Sequence, residues 1–466
     1  MCIRLGRRDA ASEDTSGPVF PRRQVNRPAI TTTLRRETGR IWRSRFARNV
    51  AMVASGTAGA QAITMAFAPI ITRIYGPEAF GLLGTFMAIV AVAVPLAALA
   101  YPIAIVLPKD DRDAIGLVRL SAILSVAIAL FAAALLVISG DWLTVTLGAE
   151  SVSRYLLLIP VAMLFAAWQQ IVTQWLIRKK EFGVIARAAI AQSLILNSAK
   201  SGIGWLHPVG AVLIVLSTLG QALYAGLLFF GARRRYQRSD DLERHDPRTP
   251  LRELAYRHRD FPLYRAPQIF INAASQSLPV LMLAAFFGPA AAGFYTLGTM
   301  VMGMPSTLVG KAVNDVFYPR ITEAAHNGEN LTRHIVRATG AMFAIGVVPF
   351  GLVVVFGPML FSFVFGSDWA MAGEYARWLA LWLLAGFINR PSVATIPVLS
   401  LQRGFLLYEL ASVIVRVSAI VLGVLLFQSD VVAVTLFAVV GVVLNLFLIA
   451  WVLRTVYGLE NGRLHG

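Results

Sequence analysis

Polar residues punctuate this chain, and apolar runs fill the space between them. The runs lie near 49–72, 80–106, 115–139, 155–176, 183–205, 209–232, 262–287, 292–316, 335–363, 372–399, 405–427 and 431–453. Each reaches the ~17–25 residues that a helix needs to cross a bilayer. Buried helices of water-soluble proteins are shorter and do not come in such a series. A spanning segment must satisfy its own backbone polar groups, which a helix does alone. The pattern therefore predicts an all-α integral membrane protein with twelve transmembrane helices.

One small break occurs twice. "GPEAFG" (76–81) follows the first run and "GPAAAG" (288–293) follows the seventh. Gly tolerates positive φ and Pro fixes φ near −65°, so both hexamers suit tight turns. Other features repeat with them. Pro69 and Pro279 lie late in the first and seventh runs, Pro95 and Pro305 inside the second and eighth. "RKKEF" (178–182) joins runs four and five, as "LQRGF" (401–405) joins ten and eleven. This is the mark of a duplication into two six-helix lobes. Six spans is an even number, so both lobes enter from the same side and are related by an axis along the membrane normal. Such folds bind substrate between the lobes, near broken helices at matching positions, here expected to be the first, second, seventh and eighth. The expected organisation is a basic tail (1–47), an N-lobe (48–232), a linker loop (233–261), a C-lobe (262–453) and a second tail (454–466).

Composition agrees. Of 466 residues, 57% are hydrophobic and 14% charged, against about 25% charged in ordinary soluble domains. The net charge of +17 resembles a nucleic-acid signal until the cations are placed. Most fall in alternate linkers and in the tails; the opposite linkers hold Arg73 and Arg154. This asymmetry puts both termini in the cytoplasm. The "RRRYQR" patch (233–238) then suits anionic lipid headgroups rather than DNA. Residues 34–50 place Leu34, Ile41, Trp42, Phe46 and Val50 near one helical face, which fits a surface helix or an unstructured basic tail. Cys2 is the single cysteine, so no intrachain disulfide exists.

Charges deep in a span are costly and mark function. Arg416 lies mid-way along run eleven and Arg390 deep in run ten. Lys200 sits towards the outer end of run five. Lys311 and Asp315 are i,i+4 neighbours that fit a local pair. Arg119, Arg187, Arg265, Arg337 and Arg377 are near enough to span ends to snorkel. Polar residues form helical stripes: Thr57, Gln61 and Thr64; Gln170, Thr173 and Gln174; Ser193, Asn197 and Lys200; Gln268, Asn272, Ser275 and Gln276. Each stripe fits helix-to-helix hydrogen bonding; the set together predicts a hydrated cavity. Its expected ligand-binding residues are Arg390, Arg416, Lys200, Lys311, Gln61, Gln268, Asn272 and Gln276. Guanidinium groups grip phosphates in bidentate fashion, and amides bond sugar hydroxyls. Asp315 and Glu409 are the candidates for ion coupling. Glu409 lies two turns from Arg416, so the two pair only when stretched. No GxxxxGK[ST] phosphate loop occurs and the histidines form no ligand cluster. Asp111-x-Asp113 reads as a helix cap. The chain is therefore expected to be no enzyme, with no cofactor, metal or nucleic-acid partner.

Three stretches resemble a known family: "RIYGPEAFGLLGTF" (73–86), "AIVLPKDDRDA" (104–114) and "WLIRKKEFGVIARAAI" (175–190). They are similar to bacterial flippases for lipid-linked polysaccharide units, in the superfamily shared with multidrug-and-toxin extruders and lipid II flippases. The resemblance runs over about residues 45–455, with its sharp motifs in the first half. Ala100-Tyr101 stands where members often carry Arg-Tyr. The resemblance implies a V-shaped pair of lobes and alternating access in the bacterial inner membrane. The implied cargo is a polyprenyl-diphosphate-linked oligosaccharide for exopolysaccharide, capsule or O-antigen, with membrane lipids, a glycan polymerase and a chain-length regulator as partners. Two alternatives stay open: a cation-coupled drug or metabolite exporter of the same fold, and a membrane glycan polymerase or glycosyltransferase.

Overall fold

A computed structural model describes residues 45–146, 150–236, 249–399 and 401–464, with side chains over 52, 54–140, 151–233, 249–303, 317–399 and 401–461. The tail at 1–44, and the surface helix expected within it, lie outside the described residues. Asn49–Gly466 forms one compact unit. Twelve long helices run through the described residues. They are α1 (Arg45–Ile74), α2 (Pro77–Ala97), α3 (Asp111–Thr146), α4 (Leu158–Arg178), α5 (Phe182–Leu206) and α6 (Gly210–Tyr236). The second half holds α7 (Ala266–Phe287), α8 (Pro289–His326), α9 (Leu331–Phe365), α10 (Ala370–Ile388), α11 (Gln402–Leu422) and α12 (Asp430–Leu464). Eight of them, α2, α3, α5, α6, α7, α9, α11 and α12, are long and apolar enough to cross a membrane. This is a multi-pass membrane protein, and no strand occurs among the described residues.

The helix breaks fall elsewhere than the prolines of the repeat suggest. Pro69, Pro95 and Pro279 sit inside continuous helices, and Pro305 lies within the range of α8. Proline's φ is itself helical, and one lost backbone bond is tolerated where neighbouring helices pack. The interruptions instead come where proline opens a new helical turn, the position at which its missing N–H matters least. The expected span 80–106 ends at Ala97; Leu99 and Ala100 turn left-handed at φ 48° and 59°, and Tyr101–Ala104 starts afresh with Pro102 in its first turn. The expected span 372–399 parts at Asn389, and Pro391 opens the short helix Arg390–Thr395. Wide π-helical turns precede α7 (Phe261–Arg265) and close α11 (Gly423–Phe427).

Because the helices alternate in direction, one end of the bundle collects the basic linkers and the other the two hexamers. The hexamers meet there. A Cβ on Gly81 would run into the carbonyl of Pro289, and a Cβ on Gly293 into that of Pro77. Gly293 stands in the second hexamer where Gly81 stands in the first, and Pro289 where Pro77 stands, so the contact is reciprocal. One turn deeper, a Cβ on Gly84 would strike Thr296 Oγ1. Glycine is thus required for backbone approach between α2 and α8, as at small-residue helix crossings in membranes. The tight-turn expectation holds only for Gly288, at φ 85°; Gly76 is extended, at φ −70° and ψ 174°.

The first and second halves of the chain are also joined by side chains at this end. Tyr75 and Phe80 share one buried cluster with Leu297, Phe361, Phe365 and Trp369. Thr72 Oγ1 donates to Phe365 O at 3.1 Å, Arg73 to Phe363 O at 3.0 Å, and Trp369 Nε1 to Thr72 O at 3.0 Å. At the basic end, the clusters around Leu117 and Trp175 and around Ile321 and Leu448 each stay within their own half and its adjoining linker. Among the described residues, the side-chain bonds named here between the halves lie at the hexamer end, and these two basic-end clusters do not cross.

Candidate transport site

The amide stripe of α7 lies on the uncovered part of that helix. Gln268, Asn272 and Gln276 are all exposed. Gln276 Nε2 donates to Asn272 Oδ1 at 2.8 Å, and Arg265 donates to Gln268 Oε1 at 2.8 Å. Arg265 therefore extends the stripe rather than simply snorkelling at the span end. Its spacing of three from Gln268 was the sequence signal for this. The result is a row of one cation and three amides that starts at the basic end.

Arg416 occupies a different setting. It is half-buried on α11, and its Nε donates to Ser412 O at 3.1 Å. Its guanidinium lies 5.9 Å from the Trp382 ring centroid and 6.0 Å from that of Phe437. Those two rings meet edge to face at 5.0 Å, so an aromatic corner from α10 and α12 faces the charge. Cation–π contact at this range stabilises a desolvated guanidinium. Periodicity alone could not reveal Trp382 and Phe437 as its neighbours, because they come from two other helices. Among the described residues no carboxylate lies within salt-bridge distance of Arg416, and Glu409, exposed on the same helix, forms no ion pair with them.

Arg390 is exposed at the break that ends α10. Beside it Asn389 is buried and donates to Asn445 Oδ1 at 3.0 Å. Buried Asn389 Oδ1 and Ser392 Oγ have no hydrogen-bond partner. Lys200 sits on α5, where its carbonyl accepts from Tyr75 Oη at 3.0 Å. The side chains of Lys311 and Asp315 lie outside the described residues, and their expected pairing with them. Arg416 and Lys200 belong to opposite halves of the chain, and no hydrogen bond or ring contact joins them to Arg390 or to the α7 stripe.

Thr64, Ser193 and Asn197 of two other stripes face each other. Thr64 Oγ1 and Ser193 Oγ are 2.9 Å apart, Ser193 Oγ donates to Ala60 O at 2.8 Å, and Asn197 Nδ2 reaches Thr64 Oγ1 at 3.3 Å. Asn197 is 5% exposed. These groups satisfy one another across the α1–α5 seam, which is helix-to-helix hydrogen bonding. Gln61 keeps a buried Oε1 with no partner.

The charged motifs at the basic end form a clamp. Arg178 Nε donates to Asp111 Oδ1 at 2.9 Å, and its NH1 donates to Pro108 O at 2.6 Å. Lys179 also pairs with Asp111. One guanidinium thus caps the carbonyls of the 105–110 turn and fixes the start of α3 against the end of α4. Arg257 of the linker helix Leu251–Arg257 reaches Asp113 at 3.6 Å, and Tyr101 Oη donates to Ala255 O at 3.0 Å. In the second half, Arg320 donates to both oxygens of Glu329, at 3.2 and 2.7 Å, and His334 Nε2 lies 2.8 Å away. These bonds, from Arg320 foremost, hold the Glu329 carboxyl down to about 2.

A sequence profile for polysaccharide biosynthesis proteins matches residues 70–374. The chain belongs to that family. This polysaccharide biosynthesis protein is 24% identical over 336 residues to the succinoglycan biosynthesis transport protein ExoT of Rhizobium meliloti. The match takes in 71% of this chain and spans 63% of the length of that relative. Its fold is that of transporters of the MOP superfamily. An inward-facing multidrug resistance MATE family transporter of that superfamily superimposes with a TM-score of 0.67 at 16% identity, over 86% of this chain and 96% of that chain. The outward-facing conformation of such a transporter gives 0.58 at 16% identity, over 88% and 96%. A MOP superfamily transporter from Pyrococcus furiosus, described as having a binding pocket of reverse polarity, also gives 0.58 at 16% identity, over 88% and 96%.

Proposed function

We propose that this polysaccharide biosynthesis protein is a flippase for an anionic lipid-linked glycan in the bacterial cytoplasmic membrane. The observation that carries the reading is Arg416: a guanidinium on an apolar helix, backed by two aromatic rings and, among the described residues, with no carboxylate in salt-bridge range. A desolvated cation of this kind is held for a negatively charged ligand, and its forked donors match a diphosphate. Cationic drugs would need the opposite polarity. The exposed amides and Arg265 on α7 form the second element, suited to sugar hydroxyls and phosphate at the mouth of the cleft.

In this reading the two six-helix lobes are related by a pseudo-two-fold axis through the Gly84–Thr296 crossing. All twelve helices span the membrane. The basic end lies in the cytoplasm, as the positive-inside rule requires, so the conformation is open to the cytoplasm and sealed outside. The diphosphate enters between the lobes from the cytoplasmic side. Loss of the hexamer-end contacts and closure at the basic end then present it to the other face.

The test uses proteoliposomes loaded with a polyprenyl-diphosphate oligosaccharide, with flipping read by enzymatic trimming of the exposed glycan. Wild-type protein should expose glycan, while Arg416→Gln and Arg265→Gln should slow exposure at unchanged protein content. Arg416→Lys should recover little, because a lysine is a point charge without the fork. Wild-type rates in both Gln variants would remove the proposed site. Uptake of cationic drugs without glycan movement would replace the function.

A further inference from the structure

The outer face of the first half carries an apolar groove that the transport site does not use. It is a cavity of about 400 Å³ between α3, α4 and α6, walled by Ala122, Phe165, Trp168, Val172, Gly226 and Phe229. That volume is within the ~300–1,000 Å³ range of ligand sites.

Three observations define what fits it. The first is direction. Phe165, Trp168 and Val172 share one face of α4, while Gln170, Thr173 and Gln174 lie roughly opposite at 100° per residue. Trp168 is 37% exposed and Phe229 53%, so the groove opens away from the polar face of α4, onto the bilayer. The second is shape. Aromatic walls alternate with Ala122 and Gly226, and a Cβ on Gly226 would meet nothing within 4 Å. The space is kept open by small residues rather than filled. The third is height and charge. At 1.5 Å per residue the groove lies roughly 6–20 Å from the basic end, so it sits mainly in the half of a ~30 Å core nearer that end and reaches just past the middle. Arg233 follows Phe229 by one turn on the same face of α6. It is exposed and makes no hydrogen bond among the described residues.

We infer that this groove binds the polyprenyl chain of the lipid-linked substrate, with Arg233 meeting its phosphate at the membrane surface. The inference rests on the flippase reading and adds to it the place of the tail. Lipid gives no hydrophobic drive for one chain over another, so selectivity must come from packing. Aromatic walls spaced by a glycine and an alanine offer shaped contact to a methyl-branched isoprenoid chain that a plain acyl chain fills less well. A tail held here tethers the cargo in its starting leaflet while the glycan enters the cleft.

The experiment uses the full chain in phosphatidylglycerol nanodiscs, with a polyprenyl diphosphate carrying a benzophenone on its chain. Illumination should label peptides from 158–178 and 210–233. Excess unlabelled polyprenyl diphosphate should abolish the labelling, and further phosphatidylglycerol should not. Gly226→Phe and Ala222→Phe, which fill the groove, should each cut labelling about tenfold with monodisperse protein. Arg233→Gln should weaken labelling by the diphosphate probe and leave that by a photoreactive polyprenol unchanged. Competition by phosphatidylglycerol equal to that of the polyprenyl lipid would make this an ordinary lipid contact and overturn the proposal. So would unchanged labelling in both filled variants. Labelling needs no transport, so a wild-type chain that labels here but flips nothing keeps the groove and loses the flippase reading. A chain that flips glycan without labelling here does the reverse.

Discussion

Trp369 ties the second half of the chain to the first at the hexamer end. The residue is 1% exposed. Its Nε1 donates to Thr72 O at 3.0 Å, and its ring meets Phe80 edge to face at a centroid distance of 5.0 Å. Both partners belong to the first half of the chain, so both contacts vanish when the halves part there. The hydrogen bond contributes about 0.5–1.5 kcal/mol net and the ring pair about as much. Trp369→Ala therefore loses about 2 kcal/mol from the closed arrangement, a shift of about 30-fold towards the open one. Trp369→Phe keeps the ring and loses the N–H, so its shift should be about fivefold. The assay is the spin-label distance between Glu78→Cys and Asp368→Cys, both exposed at this end, in a Cys2→Ser background. Trp369→Ala should build a long-distance population well above that of Trp369→Phe, which in turn exceeds wild type. A folded Trp369→Ala protein with the wild-type distance distribution would refute the account of what seals this end.

Other outcomes follow from the same geometry. Gly81→Ala and Gly293→Ala should each lower thermal stability, by about 1–3 kcal/mol of overpacking, whereas Gly351→Ala, where a Cβ meets open space, should not; a melt series decides it. Asn197→Ala should lower the melting temperature, through about 0.6 kcal/mol per lost interhelical bond, and leave flipping intact, while Gln276→Ala should do the opposite. The Glu329 carboxyl is depressed in the folded protein, so its contribution is complete above pH ~4.5 and fades as pH falls towards about 2. The stability difference between wild type and Glu329→Gln should accordingly shrink as pH falls below about 4.5. An outward-moving diphosphate of two charges gains roughly 4–5 kcal/mol at 100 mV, so a potassium–valinomycin potential alone should drive flipping; dependence on a proton or sodium gradient instead would direct attention to Glu409.

Apolar run length made the helices legible, because a bilayer imposes one length on every span. Helix ends were harder, since they depend on which proline opens a turn. Pro102 and Pro391 start new helices, whereas Pro95 and Pro279 are carried inside old ones. All four look alike in sequence. The paired hexamers were legible as a repeat but not as a contact. Gly76 and Gly288 read as turn formers, and Gly76 is merely extended; Gly81 and Gly293 read as the starts of the next spans, and their lack of a side chain admits a facing backbone.

Polar stripes show why a site is less legible than a fold. The stripes of α1, α5 and α7 share a helical spacing of polar residues in apolar surroundings, with at least one amide in each. What separates them is whether another helix answers. Ser193 and Asn197 on α5 meet Thr64 on α1, and the polar demand is met within the protein. Among the described residues Asn272 and Gln276 on α7 find each other, and Gln268 finds Arg265 from its own segment. Self-satisfaction along one helix leaves donors and acceptors to spare, because each amide offers more than one bond. In water that surplus would mean little. On a helix that crosses a membrane it has to be met by a ligand or by water admitted to the cleft, and this difference in supply, rather than the stripe itself, separates α7 from the α1–α5 seam as a place where sugar hydroxyls could bind.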